Sequence, residues 1–178
     1  MIFDLDPPGE DFEPARKGAQ ALRGIMKEVG LRPFVMTTGS RGLHVLVPLR
    51  RVHTFDTVRD FARDAAALLS ARERGQYTIE PRKEAREGRL FIDTLRNAYA
   101  QTAVAPYSVR GKPGAPVATP LDWDELGNED LGPQSYTLAN IFRRLSRKDD
   151  PWRQISRHGR SLKGPGRKLK NLLEEGEG

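Results

Sequence analysis

The chain has 178 residues, a mass of 20.0 kDa, 37% hydrophobic and 30% charged residues, a net charge of +6 and no cysteine. That length fits one ordinary domain with a short appendage. No window approaches the roughly 20 consecutive apolar residues of a membrane span. The absence of cysteine excludes disulfides and thiolate metal sites, and no leader-like opening supports secretion, so the cytosol is the default compartment.

In chain order, Met1 to Leu5 reads as a strand stopped by Pro7-Pro8-Gly9. Apolar residues Ala15, Ala19, Leu22, Ile25, Met26 and Val29 then recur at three- and four-residue spacing, predicting an amphipathic helix over 11–29 that ends at Gly30. Pro33–Met36 and Leu43–Leu49 read as strands joined by the Gly-rich segment 37–42, short enough for a hairpin. Thr54 or Asp56 caps a second predicted helix to about Ala71, with Phe55, Val58, Phe61, Ala62, Ala65, Leu68 and Leu69 on one face. Tyr77–Glu80 is briefly extended, 81–88 is a basic loop, and Arg89–Asp93 is the fourth main strand. Beyond Leu95 the chain reads as loop to Pro120, with short helices near 123–126 and 136–145. The order β-α-β-β-α-β predicts an α+β, ferredoxin-like (RRM-like) sandwich, in which the first strand is central and the fourth lies beside it.

Charge is unevenly placed. Up to residue 140 the signs balance, whereas 141–170 carries eleven basic residues, Arg143 through Lys170, against only Asp149 and Asp150. Such a stripe attracts polyanions, nucleic acid above all. Equally, Gly164-Pro165-Gly166 and the Glu- and Gly-rich terminus suit a solvated tail. We therefore divide the chain into 1–152 and a basic, flexible tail, 153–178.

Three segments carry candidate chemistry. Asp4 and Asp6 alternate on a strand, so both carboxylates leave one face about 7 Å apart. Their repulsion is relieved by a hard divalent cation such as Mg²⁺ or Mn²⁺. Asp93, closing an apolar strand predicted to be adjacent, completes a trio suited to two-metal phosphoryl transfer; Asp-x-Asp before Pro-Pro is also ordinary turn chemistry. Thr38-Gly39-Ser40-Arg41-Gly42-Leu43-His44 offers backbone N–H groups, a hydroxyl and a charge to a phosphate, or is simply a tight hairpin. It lacks the Gly-Lys-Ser/Thr ending of a Walker A loop. Arg82, Lys83, Arg86, Arg89 and Arg110 would neutralise a triphosphate held beside carboxylates, unless the first four merely pair with Glu80, Glu84 and Glu87.

Together these segments resemble the polymerase domain of bacterial DNA ligase D, in the archaeo-eukaryotic primase superfamily. The resemblance rests on Phe3–Pro7, Thr38–His44, Thr78–Arg89, Phe91–Asn97, Gln101–Arg110, Pro113–Val117 and Thr119–Leu126, and runs in order to about Trp152. It implies a primase-type fold whose catalytic half is RRM-like, with a loop-rich and helical C-terminal extension. It further implies addition of NTPs or dNTPs to a DNA primer end during non-homologous end joining, with a Ku-type protein and a DNA ligase as partners, in the cytoplasm near the nucleoid. On that resemblance Asp4, Asp6 and Asp93 hold Mn²⁺ or Mg²⁺ and are catalytic, while Ser40, Arg41, His44, Lys83, Arg86 and Arg110 bind the nucleotide. The family's domain carries an N-terminal module ahead of the Asp-x-Asp strand. Here Met1 falls three residues before Asp4, so the chain is expected to be the catalytic half alone. The competing expectation is a catalytically incomplete fragment that binds DNA or a protein. A haloacid-dehalogenase-like phosphatase also places Asp-x-Asp after a strand, but no strand precedes Asp149-Asp150 to supply its late acidic pair.

Overall fold

The computed structural model describes residues 1–176. Six strands form one sheet: β1 (Ile2–Asp6), β2 (Phe34–Thr37), β3 (Leu43–Leu46), β4 (Tyr77–Thr78), β5 (Leu90–Asp93) and β6 (Pro120–Leu121). Their order is β4-β5-β1-β3-β2-β6. The inner four strands are antiparallel neighbours and give the predicted ferredoxin-like order, with β1 flanked by β5 and β3. The two-residue β4 and β6 extend the edges, β4 parallel to β5 and β6 antiparallel to β2.

Alternation sorts each central strand between two faces. Phe3, Leu5, Val35, Leu43, Val45, Leu90 and Ile92 enter the main core. Against them pack α1 (Glu13–Glu28), through Ala15, Ala19, Leu22, Ile25 and Met26, and α2 (Phe55–Arg72), through Phe61, Ala62, Ala65 and Leu69. Pro14 lies in the first turn of α1, where a missing N–H costs nothing. The Thr54 hydroxyl caps α2 by accepting from Thr57 N at 3.2 Å. The alternate residues of β1 and β5, Asp4, Asp6, Phe91 and Asp93, stand on the face opposite α1 and α2.

Two short C-terminal helices follow, α3 (Ile141–Leu145) and α4 (Lys163–Gly176). The helix expected over 136–145 shrinks to α3 because Asn140 folds back, accepting from Thr137 N at 2.8 Å and donating to Ser135 O at 2.9 Å. The region expected near 123–126 is a 3-10 turn, Trp123–Gly127, opened by a reciprocal Asp122–Glu125 capping box. The third strand stops at Leu46, and the basic loop contains a 3-10 turn, Lys83–Arg86.

The flexible tail expected at 153–178 is not what its described part forms. Trp152 is buried against Phe34 and donates its indole N–H to Val35 O at 3.2 Å. Leu162 and Leu169 then enter the main core as α4 packs on α2. Burial of these widely spaced apolar side chains offsets the ordering cost that charge alone would not. Residues 177–178 lie outside the described residues.

Candidate active site

Strand register builds the centre of the site. Asp4 lies directly opposite His44 across β1 and β3, and directly opposite Asp93 across β1 and β5. Directly opposed residues share a face, so Asp93, Asp4 and His44 form a row across three strands, with Asp6 two residues along β1. The His44 Nε2 stands 3.4 Å from Asp4 Oδ1. The His44 side chain is only 5% exposed, so this histidine forms part of the floor.

Each carboxylate also faces a guanidinium. Arg96 Nε lies 3.4 Å from Asp4 Oδ2 and 3.9 Å from Asp93 Oδ2. Asp6 has Arg41 at 3.3 Å and Arg86 at 3.9 Å. Burial pushes the Asp4 carboxyl up, but its hydrogen bonds and charge interactions with His44 and Arg96 outweigh that and leave it below the ordinary carboxylate range. Asp93 is oriented by Leu95 N, which donates to its Oδ1 at 2.7 Å.

The Gly-rich segment is a hairpin between β2 and β3 that forms one wall. Thr38 N and the Thr38 hydroxyl both donate to Gly42 O. Gly42 packs so tightly on β1 that a Cβ there would stand 1.8 Å from Leu5 O; only glycine permits that approach. Gly39 has φ +64°, and a Cβ on it would meet Arg110 Cγ at 2.9 Å. Arg110 in turn donates to Thr38 O at 3.1 Å. At the tip, the Ser40 hydroxyl accepts from Lys112 Nζ and the Ser40 carbonyl from Gln134 Nε2, both at 2.8 Å.

A cavity of about 500 Å³ opens over this floor, lined by Asp4, Asp6, Ser40, Arg41, His44 and Arg110 among others. Of the nine residues singled out from sequence, these six meet there. Asp93 adjoins them through its register with Asp4. Arg86 reaches the rim near Asp6 but spends its Nε and Nη2 on Glu80 O and Pro81 O, with its guanidinium 3.9 Å from the Phe91 ring centroid. Lys83 does not line the cavity. In the same loop Arg89 pairs with Glu87 at 3.4 Å. Sequence reasoning gave no role to Arg96, although its place three residues after Asp93 was a local signal, nor to Lys112 or Gln134, whose positions depend on the folded C-terminal loops.

Among the described residues, no three His, Asp or Glu side chains converge as a ready metal cage. The donor chemistry nevertheless fits a hard divalent cation: three carboxylates share one sheet face, each already facing positive charge. Asp4, Asp6 and Asp93 are the residues that would hold it.

The chain is thus an α+β domain with acids on one sheet face beside a basic, Gly-rich wall, and comparison with known proteins narrows its class. The family described as the LigD primase-polymerase domain matches residues 1–152, and the chain belongs to that family. The multifunctional non-homologous end joining protein LigD of Pseudomonas aeruginosa is 35% identical over 155 residues, covering 85% of this chain and 18% of the relative. The LigD DNA repair protein of Mycobacterium tuberculosis is 34% identical over 152 residues, covering 84% and 20%. The fold matches a solved structure, the polymerase domain from Mycobacterium tuberculosis ligase D in complex with DNA, with a TM-score of 0.81 and 30% identity. That match covers 89% of this chain and 55% of the other. The chain thus spans about a fifth of the length of these curated relatives and about half of the solved domain.

Proposed function

We propose that this chain is a metal-dependent nucleotidyltransferase that adds NTPs or dNTPs to a DNA primer end in non-homologous end-joining repair. The observation that carries this reading is the row Asp93–Asp4–His44, with Asp6 beside it, on the floor of a cavity walled by the Ser40–Arg41 hairpin. Family membership and the likeness to a polymerase domain solved with DNA support it. Mn²⁺ or Mg²⁺, when bound, supplies Lewis-acid stabilisation of the charge that develops on the reacting phosphoryl oxygens.

The protein's own groups divide the remaining work. Asp4, Asp6 and Asp93 hold the cation, and Asp93 faces the primer 3′-hydroxyl. Arg41 and Arg110 bring fixed positive charge to the triphosphate, where a guanidinium suits phosphate geometry. The Ser40 hydroxyl, beside Lys112, binds an outer phosphate oxygen. His44 holds the Asp4 carboxylate in place and offers a ring N–H to the nucleotide. Arg86 supports the rim of the site near Asp6, and Lys83 contributes long-range charge. A Ku-type protein and a ligase are the partners this activity calls for, and the nucleoid is where its DNA ends lie.

The decisive test is extension of a 3′-recessed primer-template by the purified chain with Mn²⁺ and each nucleotide pool, beside an Asp4→Ala/Asp6→Ala control. Extension by the unaltered chain alone supports the proposal. A folded, cation-binding chain that extends nothing returns it to the reading of an incomplete half-enzyme.

A further inference from the structure

The family match ends at residue 152, yet the fold does not. The segment beyond it returns to the sheet, where Arg160 forms a parallel bridge with Leu49 and its carbonyl accepts from Arg50 N at 2.9 Å. His158 packs on Phe34 with ring centroids 5.8 Å apart. Arg32, from the loop before β2, reaches His158 Nε2 at 3.2 Å and lies 5.5 Å over the same Phe34 ring. Arg32, Arg50, Arg157 and Arg160 are all exposed, and none pairs with a carboxylate among the described residues. Several other basic side chains are spent on carboxylates: Arg59 and Arg63 pair along α2, Arg72 holds Glu28, and Arg144 and Lys148 hold Glu125. Cations gathered without counter-ions repel one another, and the gathering is relieved when a polyanion replaces small ions.

The position of the cluster identifies the polyanion. Phe34 is two residues along β2 from Met36, which lies opposite His44. Phe34 and Met36 share the cluster with Trp152 on the open face of the sheet. Arg32 and His158, both on the Phe34 ring, therefore sit on the side of the carboxylate row; Phe34 itself is about 7 Å along the strands and two strand spacings across from Asp4, and Arg50 and Arg160 lie beyond it, past the end of β3. A duplex whose end occupies the cavity has phosphates within a few base pairs of that point.

We propose that Arg32 and Arg50, joined by Arg157 and Arg160 of the segment beyond the family match, form a DNA-backbone contact surface that grips the duplex flanking the reacting end. It rests on the nucleotidyl-transfer reading only for which part of the DNA lies there. The surface reads no bases; guanidinium contacts to phosphate position without sequence preference.

The test is the salt dependence of binding to a labelled 3′-recessed duplex, followed by fluorescence anisotropy between 50 and 200 mM salt. Arg32→Gln/Arg157→Gln/Arg160→Gln is compared with Lys17→Gln/Arg59→Gln/Arg63→Gln, which removes the same charge elsewhere. The first variant is expected to lower the slope of log K against log salt by about 2 to 3, near 0.9 per lost phosphate contact, and the second to leave it unchanged. Equal slopes for the two variants, or no salt-dependent binding by the unaltered chain, would overturn the proposal. Circular dichroism confirms folding of both. Primer extension at saturating duplex separates the two readings. A chain that extends nothing but shows the expected slopes refutes nucleotidyl transfer and keeps the surface; extension with equal slopes does the reverse.

Discussion

Asp4 and Asp93 occupy directly opposed positions on neighbouring strands, and the guanidinium of Arg96 spans both carboxylates. Two acids so placed and only 18% and 15% exposed repel unless a cation sits between them. Arg96 fills that role in this structure.

Replacing Arg96 with Gln should therefore lower the thermal midpoint in chelator by roughly 3 to 6 °C, as expected for losing one partner of a half-buried charge group in a domain of this size. Adding Mn²⁺ should raise the variant's midpoint by more than it raises the unaltered chain's. Thermal denaturation with and without Mn²⁺ reads both effects; an equal rise in the two proteins would separate Arg96 from cation binding.

Gly42→Ala should destabilise by about 3 kcal/mol or more, because its Cβ would lie 1.8 Å from a backbone oxygen of a central strand. Gly111→Ala, with nothing within 4 Å, should be close to neutral. Urea midpoints compare the two, and any Gly42→Ala protein that folds should also lose primer extension through displacement of Ser40 and Arg41.

Glu125 predicts an acid-sensitive anchor for the C-terminal loops. Burial pushes its carboxyl up, but Arg144, Lys148 and the N–H of Asp122 pull it down to about 2. A carboxyl depressed on folding contributes stability above its unfolded value, near 4.5, and loses it as the pH falls toward 2. On the order of 2 kcal/mol should disappear across that window. Glu125→Gln should abolish that share of the pH dependence and lower stability at pH 7, as read from urea midpoints at pH 7 and pH 3.

Leu169→Ala should cost about 2 to 4 kcal/mol, the range for truncating a buried leucine, since Leu169 is 2% exposed. A solvated tail would give no change in the urea midpoint.

The central sheet was legible because its signals are local and mutually consistent. Helical spacing in α1 and α2, the stop at Gly30, and apolar runs in β1, β3 and β5 each point to one topology. From that order the meeting of Asp4 with Asp93 followed before any coordinate. Of the edge strands, β4 was legible only as the brief extended run Tyr77–Glu80, and Pro120–Leu121 not at all, since two residues each are too short for alternation to register. The C-terminal helix was masked by composition, since Leu162, Leu169, Leu172 and Leu173 are spread among lysines and arginines. Within the site, residue types on strands and the hairpin were foreseeable, whereas the contacts of Lys112 and Gln134 with Ser40 depend on how distant loops return.

Trp152 closes the family match while its indole is hydrogen-bonded to a strand of the sheet, and the next residues contribute Leu162 and Leu169 to the interior. The boundary of the family match therefore cuts through a packed core here. A transplant of this sheet onto another protein, trimmed at that boundary, would leave α2 with a bare apolar flank. The minimal portable unit is longer than the matched one.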